Sequence, residues 1–80
     1  MAEETVARKQ DVAFLREALE KLPEDKREVL VLSRFHDMRY DEIARILKCE
    51  VGTVKVRVYR ALKELREHFS ELRGEKLYDV

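Results

Sequence analysis

The stretch EVGTVKVRVYRALKEL, Glu50 to Leu65, restricts what this chain can fold into more than any other. Wound as an α-helix at roughly 100° per residue, it separates into two unlike faces. Val51, Val54, Val58, Ala61, Leu62 and Leu65 gather in one arc about 100° wide, the stripe that a surface helix buries against a core. Lys55, Val56, Tyr59, Arg60 and Lys63 fall on the other side, with Arg57 on the flank. One face therefore docks the helix. The other offers cations interleaved with an aromatic and a β-branched residue, which gain nothing from contact with water. Such a surface suits a polyanion with apolar features, and the major groove of DNA fits that description.

Composition limits the rest of the fold. Eighty residues allow one small domain, with a core near the lower limit for independent stability. With 42% charged residues, two glycines and one proline, the chain favours helices and has few signals for strands or long loops. Its formal net charge is zero, which argues against strong nonspecific polyanion binding. The distribution matters more: Lys48, Lys55, Arg57, Arg60 and Lys63 face Glu50 alone, a local surplus of +4, while many of the compensating acids come earlier in the chain. A single cysteine excludes an internal disulfide. No apolar run approaches membrane-spanning length and no signal-peptide pattern opens the chain, so a cytoplasmic protein without a membrane partner is expected.

Taken in order, residues 1–4 read as a disordered start, and Thr5 as the cap of a first helix reaching about Lys21. Val12, Leu15, Leu19 and Leu22 recur there at helical spacing and are expected to pack inward. Pro23 suits the first turn of a second helix, where its missing N–H has no partner to lose, and Glu24 and Asp25 complement the helix dipole. That helix is expected to run to Phe35 and bury Val29, Leu30, Leu32 and Phe35. His36-Asp37-Met38-Arg39 breaks it, with Asp37 the residue best suited to a left-handed turn. Tyr40 to Leu47 forms a third helix with Ile43, Ala44 and Leu47 inward. Lys48 and Cys49 make a tight connection into the fourth, which is expected to extend to about Leu72 and to end at Gly74. Gly52 costs about 1 kcal/mol of helix propensity relative to Ala. Close approach, to the third helix or to a phosphate backbone, explains it, and its place on the polar side of the wheel favours the backbone. The expected organisation is a start at 1–4, a helical domain at 5–73 and a tail at 74–80.

Two short helices joined by a tight turn, the second carrying the basic face, form a helix-turn-helix. The strings LPEDKREVLVLSRF, MRYDEIARIL and VGTVKVRVYRALKELRE resemble region 4 of extracytoplasmic-function sigma factors, over about Leu15 to Phe69. The resemblance implies an all-α, four-helix domain of the winged-helix-like or sigma region 4 type. It further implies recognition of the promoter −35 element, docking on the flap of the RNA polymerase β subunit and an anti-sigma factor as a possible further partner. On the family's pattern Lys55, Val56, Tyr59 and Arg60 fall at base-facing positions, and Thr53, Arg57 and Lys63 at phosphate contacts. Arg39 stands where a serine or threonine often caps the third helix, and could exchange that cap for a phosphate contact. Glu50 replaces the serine that usually caps the recognition helix, and its charge repels a nearby phosphate. Lys48 and Asp37 stand where glycines are common. Nothing resembling region 2 precedes the domain, so the chain alone is not expected to melt a promoter.

Catalysis is not supported. There is no Gly-rich phosphate loop and no paired Ser/His/Asp or Cys/His arrangement. His36 and His68 have no ligand-spaced companions, so neither a metal nor any other cofactor is expected, and Cys49 reads as a small hydrophobe. Two other classes compete with the sigma reading. One is the DNA-binding domain of a LuxR-type regulator, which also has four helices and a TVK recognition helix but binds palindromes as a dimer. The other is a helical interaction module that binds a protein such as an anti-sigma factor, with DNA secondary.

Overall fold

A computed structural model describes the backbone of residues 2–74 and the side chains of residues 8–74; Met1 and the expected tail beyond Gly74 lie outside the described residues. Four α-helices make up the described chain: α1 (Ala2–Lys21), α2 (Glu24–Leu30), α3 (Tyr40–Leu47) and α4 (Val51–Leu72). α2 runs without a break into a π-helical turn, Val31–Phe35. No helix among the described residues is long and apolar enough to cross a membrane.

The apolar stripe of α4 holds the fold together. Val54, Val58 and Ala61 are buried, and with Leu22, Val29, Leu30, Ile43 and Ala44 they form a single cluster. Each fully buried valine contributes about 1.5–3 kcal/mol relative to an exposed one. α4 thus packs against all three other helices. A partly buried ion pair, Lys26 Nζ to Glu64 Oε2 at 2.8 Å, also ties α2 to α4.

The helix limits follow local chemistry. Pro23 stands one position outside α2, as its N-cap (φ −55°, ψ 150°), and its carbonyl accepts the Arg27 N–H at 3.0 Å. Glu24 and Asp25 occupy the first turn, where the dipole favours acids. Asp37 takes the left-handed conformation (φ 54°) after the π turn, and Gly74 does so (φ 79°) after α4.

Four expectations need correction. Val51, expected in the buried stripe of α4, is 37% exposed, because it is the first residue of the helix and the core begins one turn later at Val54. α1 begins at Ala2, so Thr5 is an interior helical residue and not a cap. Phe35 is 62% exposed. Helical periodicity explains this: at about 100° per residue Ser33 falls between the directions of Val29 and Leu30, whereas Phe35 falls on the opposite side of the helix. Ser33 is accordingly buried, and its hydroxyl donates to the Leu30 carbonyl at 3.4 Å. Finally, Val12 is 54% exposed and Leu15 is exposed too, because burial of this face begins only at Ala18, in the last turn of α1, and Leu22 just beyond it.

Candidate nucleic-acid interface

The candidate site is built on the junction of α3 and α4. Ile43 and Ala44 anchor α3 in the core, and Val54 and Val58 anchor α4. Between the helices the chain turns through Lys48, which is left-handed (φ 57°, ψ 51°). The Cys49 N–H donates to the Ala44 carbonyl at 2.9 Å, the six-residue bond that closes a Schellman-type helix end. Glu50 is the N-cap of α4, in extended conformation. Its carbonyl accepts the Val54 N–H at 3.2 Å, but its side chain makes no capping bond. The carboxylate adds a negative charge at the positive end of the helix dipole. Both anchored helices and a short closed turn therefore fix the direction in which the outer face of α4 points.

That face carries the base-facing candidates together. Lys55 and Arg60 are exposed, Val56 is 47% exposed and Tyr59 70%. Arg57 and Lys63 are exposed beside them, and Thr53 is half-buried near the start of the helix. Among the described residues no ion pair engages Lys55, Arg57, Arg60 or Lys63. Their ammonium and guanidinium groups are thus not held in ion pairs among the described residues, which leaves them able to displace counterions from a polyanion.

Arg39 is placed differently. It is the N-cap of α3, and its N–H donates to Glu42 Oε1 at 3.0 Å. Arginine has no acceptor, so only the glutamate half of a capping box can form here. The Arg39 Nε lies 3.5 Å from Asp41 Oδ1 and 3.6 Å from Glu42 Oε1. Its exposed guanidinium therefore starts from a partly neutralised state, unlike the cations of α4. Gly52 is exposed, and a Cβ there would meet nothing within 4 Å. Close packing against α3 does not explain this glycine. Arg45, exposed in the last turn of α3, is a further cation near the junction that the sequence analysis does not single out. Among the described residues no cluster of His, Cys, Asp or Glu could hold a metal ion.

Residues 15–65 match the family model described as sigma-70, region 4. Among curated relatives, the RNA polymerase sigma-H factor of Pseudomonas aeruginosa is 37% identical over 59 residues, covering 74% of this chain and 31% of that protein. The ECF RNA polymerase sigma factor EcfG of Rhodopseudomonas palustris is 48% identical over 50 residues, 62% of this chain and 28% of the relative. The RNA polymerase sigma factor SigV of Bacillus subtilis is 44% identical over 52 residues, 65% of this chain and 31% of the relative. The matched part of the chain thus spans under a third of the length of each of these relatives.

Proposed function

The chain belongs to the sigma-70 region 4 family, and from that premise we propose that it binds promoter DNA sequence-specifically at the −35 element in transcription initiation. α4 is the recognition helix. It lies in the major groove with Lys55, Val56, Tyr59 and Arg60 toward base edges. Thr53, Arg57, Lys63 and Arg39 hold phosphates, which fix the position of the helix without carrying sequence information. The observation that carries this reading is the outer face of α4, where cations with no ion pair among the described residues flank exposed Val56 and Tyr59 opposite the buried Val54, Val58 and Ala61.

In the same reading the chain acts while docked on RNA polymerase, at the flap of the β subunit. The relatives are named as RNA polymerase sigma factors. The charge balance of this chain suits such an arrangement: its formal net charge is zero, so few phosphates are neutralised and the free domain binds weakly. Attachment to polymerase offsets that weakness by raising the effective concentration of the domain at the promoter.

Selection from a random duplex library by the 80-residue chain, at about 50 mM salt where phosphate contacts are strong, tests the reading. One asymmetric motif should emerge. Two inverted half-sites about 10 bp apart would instead indicate a dimeric, LuxR-like binder. Salt-dependent retention of duplexes with no enriched motif would remove the base-reading role.

A further inference from the structure

Glu50 stands at the start of the proposed recognition helix with a carboxylate that the fold does not use. As the N-cap of α4 it is held in extended conformation (φ −77°, ψ 153°), and its side chain makes no capping bond. The residue is exposed, and among the described residues no hydrogen bond or ion pair engages its carboxylate. Stability does not account for a glutamate here. Serine, threonine, asparagine and aspartate cap a helix by bonding its first N–H groups, and glutamate is not among the favoured caps. Aspartate would place the same charge at the helix dipole and add the bond. General affinity for DNA does not account for it either, since a carboxylate repels phosphates. We propose that Glu50 reads a cytosine, its carboxylate accepting a hydrogen bond from the N4 amino group in the major groove. The proposal rests on α4 being the recognition helix, and it adds to that reading a base-reading residue of opposite charge.

Chemistry selects the base. An ionised carboxylate only accepts hydrogen bonds. The donors in the major groove are the N4 amino group of cytosine and the N6 amino group of adenine, whereas guanine and thymine present acceptors there. Adenine carries its N7 acceptor beside N6, which repels the second carboxylate oxygen. Cytosine has a C–H in the corresponding place, so it is the base a carboxylate favours. Position permits the contact. The N-terminal residues of a helix-turn-helix recognition helix reach base edges, and Glu50 directly precedes the first helical residue, Val51. Gly52 is exposed, and a Cβ there would meet nothing within 4 Å, which leaves the helix start open to close approach. Lys48 and Lys55, exposed on either side in sequence, offset the repulsion between Glu50 and the DNA backbone. From Glu50 to Lys55 the helix advances about 7.5 Å, or roughly two base-pair steps of about 3.4 Å. The cytosine therefore falls about two base pairs from the pair that Lys55 faces.

Random-duplex selection with the full chain, with Glu50→Gln and with Glu50→Ser tests the assignment. The parent should enrich cytosine at one position by about tenfold over the other bases, within the range of a good base contact. Glu50→Gln should move the enrichment at that position from cytosine to adenine, because an amide donates to N7 and accepts from N6. The other positions should stay as they are. Glu50→Ser should enrich no base at that position, with a melting midpoint no lower than the parent's, since serine is a favoured cap. Lys55→Ala should flatten a position about two base pairs away and leave the cytosine in place. An unchanged motif from the parent, Glu50→Gln and Glu50→Ser overturns the inference. So does Glu50→Gln binding all duplexes more tightly, with a steeper salt dependence and the same motif, which would leave Glu50 only repelling phosphates. Salt-dependent binding by the parent with no motif removes the recognition-helix reading and this inference with it. A motif that keeps its cytosine in Glu50→Ser removes this inference alone.

Discussion

Lys48→Gly should stabilise the chain, although it removes a cation from beside the proposed DNA-binding surface. Lys48 holds φ 57° and ψ 51° at the end of α3, with the Cys49 N–H bonded to the Ala44 carbonyl at 2.9 Å. A residue with a Cβ is strained there by about 1–2 kcal/mol, because Cβ approaches the following carbonyl oxygen. Glycine escapes that strain but brings a more flexible unfolded chain, which offsets about 0.4–1 kcal/mol. The net gain lies between about 0 and 1.6 kcal/mol, with the midpoints giving about 0.8 kcal/mol. For a domain of this size, each kcal/mol moves the melting midpoint by about 4–8 °C, so the midpoint gain corresponds to a rise of roughly 3–6 °C. Thermal melts followed by circular dichroism measure it, with Lys48→Ala as the control that removes the amine and keeps the Cβ. The alanine variant should melt within a degree or two of the parent. If Lys48→Gly melts lower than Lys48→Ala, the left-handed turn is not the source of strain and this reasoning is wrong.

Ala61 is fully buried where α4 meets the core, so Ala61→Leu should overpack it and destabilise the chain by about 1–3 kcal/mol in urea titration, without changing the outer face. Replacing Arg57 or Lys63 by Ala should weaken binding to all duplexes about equally and lower the salt slope by roughly one. Arg60→Ala should instead flatten preference at one base pair, at a loss of about 1–3 kcal/mol; equal weakening on specific and random duplexes would make Arg60 a phosphate contact. Val56, about half exposed, has surface left to bury against a thymine methyl group. Deoxyuridine at the contacted thymine should weaken binding by about 0.8 kcal/mol, one methyl-sized burial, and Val56→Ser should lose that sensitivity.

Much of the fold was legible because it rests on local chemistry. Tyr40–Leu47 is the third helix as read from Ile43, Ala44 and Leu47, and α4 reaches Leu72 with Gly74 left-handed two residues on. Asp37 was identified as the left-handed residue for its side-chain type alone, and it holds φ 54°. Of the outer face of α4, the periodicity of Val54, Val58 and Ala61 already determined which side chains point away from the core. What was hidden depends on lengths and on neighbours. Helical spacing in α1 shows that Val12 and Leu15 share a side with Leu19 and Leu22, but not that the core stops near Ala18. Phe35, expected inward, lies on the opposite side of the helix from Val29 and Leu30 and is exposed. Of the two explanations offered for Gly52, packing against α3 finds no neighbouring atom within 4 Å of a Cβ, and the approach of a phosphate backbone is the one left. The ion pairs of Arg39 with Asp41 and Glu42 depend on how the N-cap turns the arginine, which residue spacing leaves open.

Amide and side-chain resonances followed during titration with a selected duplex test the central claim most directly, since they report which face of α4 meets DNA. The outward residues Lys55, Val56, Tyr59, Arg60 and Lys63 should shift, together with the backbone of Gly52 and Thr53. Val12, Leu15 and Phe69, which line a groove between α1 and α4, should stay in place, and a scrambled duplex should move Arg57 and Lys63 without Val56 and Tyr59. Shifts concentrated on α1 and the end of α4, with the outer face of α4 unmoved, would contradict the proposal that this helix reads DNA.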